Sequence, residues 1–141
     1  MLRITRQADY GILLLATLAQ CPGRLAWTAG DLAEHSHVPL AMVSKILKVL
    51  TRGGLLQSQR GPKGGYRLAH PPAQLTLARM VEVLDGPVAL TECTGANGSC
   101  DQQSRCHIHP TWQQINQTIS DALEGITLAE MIRPEQTANK S

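Results

Sequence analysis

Apolar residues recur every three or four positions along much of the chain, a spacing that predicts amphipathic helices. Ala8, Ile12, Leu15 and Ala19 predict a first helix over about 5–20, ended by Cys21-Pro-Gly. Thr28 with Asp31 three residues on predicts a capping box, opening a second helix that runs roughly from Ala29 to His35. After the turn His37-Val38-Pro39, Pro39 is expected in the first turn of a third helix. Its apolar stripe is expected to comprise Leu40, Val43, Ile46, Leu47 and Leu50, and Gly53-Gly54 stops it. The period then shortens. Residues 55–59 alternate as a strand, the glycine-rich stretch 60–65 turns, and 66–69 return as a second strand. Thr76 predicts the cap of a fourth helix carrying Leu77, Met80, Val81 and Leu84, closed by Asp85-Gly86-Pro87. A longer amphipathic helix is expected from Pro110 to about Glu124, with Trp112, Ile115, Ile119, Ala122 and Leu123 on one side. Thr127 and Glu130 form a second candidate capping box before a short helix ending near Ile132.

Two short helices joined by a tight turn, the second followed by a hairpin, describe a winged helix-turn-helix. The predicted fold class is therefore mainly α, with a two-stranded wing and a long C-terminal helix. Its expected segments are a winged helix-turn-helix over 1–86, a cysteine-bearing loop over 87–109, the long and short helices over 110–132, and a disordered polar tail over 133–141.

Composition sharpens this picture. Hydrophobic residues make up 43% of the chain but aromatics only 3%, with no Phe, so the core must come from Leu, Ile, Val and Ala. No run approaches the ~18 apolar residues of a membrane span. The apolar stretch 11–19 is also too short and has no convincing cleavage site, so no signal peptide is expected and the protein is placed in the cytoplasm. Charge is divided unevenly. Residues 1–70 hold nine Lys/Arg against three Asp/Glu, whereas 71–141 hold four against eight. The basic half suits an anionic partner, and a helix-turn-helix points to double-stranded DNA.

On the third helix, the side away from the apolar stripe is expected to display Met42, Ser44, Lys45, Lys48 and Arg52. Ser44 and Lys45 are placed to reach base edges, and Lys48 or Arg52 to hold phosphates. The wing tip carries Arg60 and Lys63 among glycines, with Arg60 the candidate minor-groove arginine. The competing reading is that each of these is an ordinary solvated cation.

Cys93, Cys100 and Cys106 stand in a polar stretch filled by Gly, Asn, Ser and Gln, which cannot form a packed core. Structural zinc prefers close cysteine pairs, absent from this stretch. Thiolates hold iron–sulfur clusters, and a histidine can replace one of them. His109 is the candidate, with His107 as its nearer competitor. Cys21, alone at the end of the first helix, is expected to be a packing residue. No paired carboxylates, nucleophile elbow or phosphate loop appears, so an enzyme is not expected. A metal-binding module that never touches DNA is the rival of another class.

The stretches Leu2-Arg-Ile-Thr-Arg-Gln-Ala-Asp-Tyr10 and Arg60-Gly-Pro-Lys-Gly-Gly-Tyr66, with the three cysteines, resemble the IscR/NsrR family of bacterial winged-helix regulators over about residues 1–132. Lys45-Ile-Leu-Lys48, Gly86-Pro-Val-Ala-Leu-Thr-Glu-Cys93 and Trp112-Gln-Gln-Ile-Asn116 further resemble the branch regulating SUF-type iron–sulfur cluster assembly. The resemblance implies a homodimer whose C-terminal dimerisation helix crosses to the partner, with the cluster loop beside the interface. It makes Cys93, Cys100 and Cys106 ligands. His109 matches the fourth ligand of a 2Fe-2S cluster, while Asp9 matches a carboxylate given from the other subunit to a 4Fe-4S cluster; 2Fe-2S is favoured. Two features depart from the family. The first cysteine gap has six residues where the IscR type has five, and Ser44-Lys45 replaces an acidic-amide pair, so the operator does not carry over. The expected function is a cluster-sensing repressor of SUF-type assembly genes; the alternative is a nitric-oxide or general redox-sensing repressor on the same fold.

Overall fold

The computed structural model describes residues 4–21, 23–87 and 109–133. Its helices are α1 (Arg6–Gln20), α2 (Ala29–Ser36), α3 (Leu40–Arg52), α4 (Leu77–Asp85), α5 (His109–Glu124) and α6 (Leu128–Met131), with strands β1 (Leu56–Gln59) and β2 (Gly65–Leu68) between α3 and α4. Each helix boundary has a local cause. The hydroxyls of Thr5, Thr28, Thr76 and Thr127 accept from the backbone N–H groups of Ala8, Asp31, Arg79 and Glu130, satisfying donors a helix start leaves orphaned. At Thr28 the box is reciprocal, because the Asp31 carboxylate also accepts from the Thr28 backbone N–H. His37 ends α2 in the left-handed region at φ 63°, its N–H returning to Ala33 O. Pro39 lies one residue outside α3, as its N-cap, rather than within the first turn as expected.

Helix α1 packs against α2, α3, α4 and α6. The core gathers Leu14, Leu15, Leu32, Val43, Ile46, Leu47, Leu50 and Met80, all fully buried. Beside it the wing pairs antiparallel, Leu56 opposite Leu68 and Gln59 opposite Gly65. A further rung, outside the β1–β2 pairing, was not legible beforehand: Trp27 and Tyr66 exchange both backbone hydrogen bonds, at 3.0 and 2.7 Å. This rung explains Gly65. Its φ is 145°, and a Cβ there would lie 2.5 Å from Trp27 O. Gly65→Ala is expected to cost about 3 kcal/mol of stability, read from the midpoint of a urea unfolding curve.

The C-terminal segment is clamped to the same core. Leu77 N donates to Ile126 O and Leu128 N to Leu75 O, both at 2.7 Å, and the Leu128 side chain is fully buried. Helix α5 behaves differently. It touches α4, yet none of its described side chains is buried. Two expectations for α3 also change. Leu40, placed in the apolar stripe, is 54% exposed, because no described element covers the first turn of α3 and the core is filled by Val43, Ile46, Leu47 and Leu50. Met42, expected on the outer side, is half-buried and packs against the core. Among the described residues no helix is long and apolar enough to cross a membrane.

Candidate nucleic-acid interface

At about 100° per residue, Val43, Ile46, Leu47 and Leu50 fall within one arc of roughly 100°, and all four are fully buried. Leu40, Ala41, Ser44, Lys45, Lys48 and Arg52 occupy an arc of roughly 140° on the opposite side. Ser44 is half-buried and the other five are exposed. The helix thus presents a face that is apolar at its first turn and polar and cationic beyond it, while its other side is locked into the core.

Both ends of α3 are held. At its start the left-handed turn at His37 and the buried Val38 set the angle to α2. At its end Gly53 N donates to Val49 O at 2.9 Å, and Leu55 N donates to Leu50 O at 3.0 Å, leading directly into the wing. From α4, the Arg79 guanidinium donates to Gly53 O and to the Glu82 carboxylate, each at 3.0 Å. Gly53 also leaves no room for a side chain, since a Cβ would run into Val83. The end of the candidate recognition helix is therefore seated on α4, whose last residues lead into the cysteine segment.

Arg60 and Lys63 are both exposed in the wing turn. The turn closes through Gly64 N donating to Gly61 O at 2.9 Å. Gly61 has φ 110°, and a Cβ on Gly64 would collide with Gln59 O. Only glycines fit, so two cations sit on a tight turn with a thin backbone, suited to close approach to a phosphate-lined groove. Sequence reasoning passed over two other arginines. Arg67 donates to the Gln57 side chain across the wing at 3.2 Å. Arg24 lies 4.0 Å over the Trp27 ring and pairs with Asp31. The Asp31 carboxyl is held below its ordinary pKa by hydrogen bonds from the backbone and hydroxyl of Thr28, then by Arg24. Arg24 is thereby committed within the fold.

Cys93, Cys100, Cys106 and His107 lie outside the described residues. His109 is the first residue of α5. Asp9 is exposed in the first turn of α1 and lines a groove of about 550 Å³ with Ile4, Arg6, Tyr10, Ile12, Leu77 and Met131. Cys21 is half-buried against the core, as a packing residue would be. Among the described residues no three His, Cys, Asp or Glu side chains gather as a metal site.

Comparison with known proteins places these observations in a lineage. A family model, Rrf2, described as an iron-dependent transcriptional regulator, matches residues 4–134. The HTH-type transcriptional regulator IscR of Vibrio campbellii is 27% identical over 135 residues, 96% of this chain and 80% of its own. Two solved structures share the fold at 24% identity and a TM-score of 0.73. T. potens IscR covers 99% of this chain and 93% of its own length. CymR, the global cysteine regulator of B. subtilis, covers 94% and 97%.

Proposed function

Since the chain belongs to the Rrf2 family of iron-dependent transcriptional regulators, we propose that it senses an iron–sulfur cluster and represses genes for SUF-type cluster assembly. The class itself follows from membership: a winged-helix, DNA-binding transcriptional regulator of the IscR/NsrR type rather than an enzyme. That also sets aside a module that never touches DNA.

The observation that carries the sensing reading is the position of the cysteine segment. It joins α4, which seats the end of α3 through Arg79 and Val83, to the amphipathic α5. Its donor chemistry fits the group: three soft thiolates within 14 residues suit an iron–sulfur cluster better than a hard cation. Cys93, Cys100 and Cys106 would hold the cluster, with His109 as fourth ligand of a 2Fe-2S form. When bound, such a cluster supplies a crosslink sensitive to oxidants and iron supply. The remaining steps belong to the chain. Ligation through Cys93, Cys100 and Cys106 would hold α4 and α5 at a fixed spacing and set the two α3 helices of a homodimer for successive major grooves.

Helix α5 supports the dimer. A 16-residue amphipathic helix with none of its described side chains buried, and with Ile115 39% exposed, requires a further surface to cover it. On this reading residues 1–86 bind DNA, 110–132 join the subunits, 133–141 form a tail, and the protein acts in the cytoplasm. Ser44 and Lys45 face base edges, Lys48 and Arg52 hold phosphates, and Arg60 with Lys63 enters the flanking minor groove.

The test is direct. Anaerobically reconstituted protein should bind its own promoter with a different affinity from the cluster-free form; equal affinities would sink the sensing claim. For the phosphate contacts, replacing both Lys48 and Arg52 by alanine should weaken binding to all sequences alike. The slope of log K against log salt should fall by about 1.8, two phosphate-type contacts. A second reading, a nitric-oxide sensor with a 4Fe-4S cluster, draws on the exposure of Asp9, which leaves its carboxylate open to a partner subunit. It predicts that nitric oxide rather than iron shortage releases DNA.

A further inference from the structure

We infer that Leu40, supported by Ala41, is a specificity-determining contact that reads a thymine methyl group in each half-site. The inference rests on α3 being the recognition helix.

A single exposed leucine is ordinary on a protein surface. Leu40 is distinguished by its place. It is the first residue of α3, 54% exposed, and Ala41 beside it is exposed as well. Ser44 lies one turn further on the same face and Lys48 two turns further, with Lys45 and Arg52 completing it. The end of the helix that leads into a major groove therefore carries an apolar knob, a small residue and a hydroxyl, and its cations come later. Leu40 is also not needed inside: Val43, Ile46, Leu47 and Leu50 already fill that side with no exposed surface.

Its position is set rigidly by its neighbours. Pro39 holds φ −55° immediately before it, Val38 is buried, and His37 closes α2 in a left-handed turn. An apolar side chain on a fixed backbone matches one kind of feature in the major groove. The thymine C5-methyl is the apolar group the bases display there, whereas the other groups displayed are hydrogen-bond donors and acceptors. Leu40 can neither donate nor accept, so contact with any other base edge would leave a polar group unpaired. Ser44 and Lys45 can satisfy polar edges on neighbouring base pairs, which leaves the methyl to Leu40.

The full-length protein is used to select a duplex from a randomised library, and that duplex is resynthesised with deoxyuridine in place of each thymine in turn. Wild type should lose about fourfold in affinity at one symmetry-related thymine, the worth of one buried methyl. Leu40→Ala should bind the thymine and uracil duplexes equally at that position, with the same salt slope and thermal midpoint as wild type. Leu40→Met should restore part of the difference. The inference is overturned if no thymine shows a methyl preference that Leu40→Ala removes. It is also overturned if Leu40→Ala changes the oligomeric state while the preference stays, which would make Leu40 a subunit contact. Failure of wild type to select any sequence would overturn the DNA-reading role of α3 itself, and is recognised by the absence of a consensus before any base is altered.

Discussion

Cys100→Ser is expected to reduce bound iron after anaerobic reconstitution and desalting from a stoichiometric level to near zero. The reason is the donor. A thiolate is soft and readily deprotonated beside iron, whereas a serine hydroxyl is hard and holds its proton. With ligation lost, promoter affinity should be the same before and after reconstitution, erasing a difference expected at about 5–150-fold, the usual range of coupling between two sites. Iron and sulfide analysis with paired binding isotherms would read both outcomes. A Cys100→Ser protein that keeps its cluster through desalting would remove Cys100 from the site. His109→Ala and Asp9→Ala in parallel identify the fourth ligand, because only one should reproduce the loss.

The second large effect concerns α5. Ile115→Asp with Ile119→Asp puts two carboxylates, one turn apart, on a helix none of whose described side chains is buried. The winged helix should remain folded, since its core is built from α1 to α4, the wing and Leu128 and includes no α5 residue among those described. The proposed dimer should not remain. Sedimentation should show a monomer, and affinity for a two-half-site operator should fall by about 10²–10⁴-fold, because each α3 then binds alone without the effective concentration its twin provides. A variant that stays dimeric would assign the interface elsewhere.

Both predictions start from features visible in the sequence, the clustered cysteines and the amphipathic pattern of α5. Capping is local chemistry. A threonine hydroxyl reaches a backbone N–H three residues away whatever the rest of the chain does, so Thr28, Thr76 and Thr127 marked helix starts correctly. Helical periodicity is nearly as local, which is why the buried stripe Val43, Ile46, Leu47 and Leu50 could be read in advance. The hairpin was legible because the glycine-rich turn is itself short-range, although its strands begin one residue away from the expected positions. The cysteine segment stood out by composition, while the geometry of its ligands lies outside the described residues.

Leu40 and Met42 mark where that logic stops. Periodicity assigns a residue to a side of a helix but does not say whether another element lies over that turn. Among the described residues nothing covers the start of α3, so Leu40 faces out, while the core extends far enough round to take in Met42. The Trp27–Tyr66 rung, the clamp of 126–128 on 75–77 and the bond from Arg79 to Gly53 O join residues 26 to 53 positions apart. The sequence by itself determined the helices, the hairpin and the exposed cations of α3 and the wing turn, because each depends on residues within a few positions of one another. Only the tertiary structure decided which apolar residues stay outside, how α4 seats the end of α3, and that none of the described side chains of α5 is buried. Those outcomes depend on which distant segments come together in three dimensions.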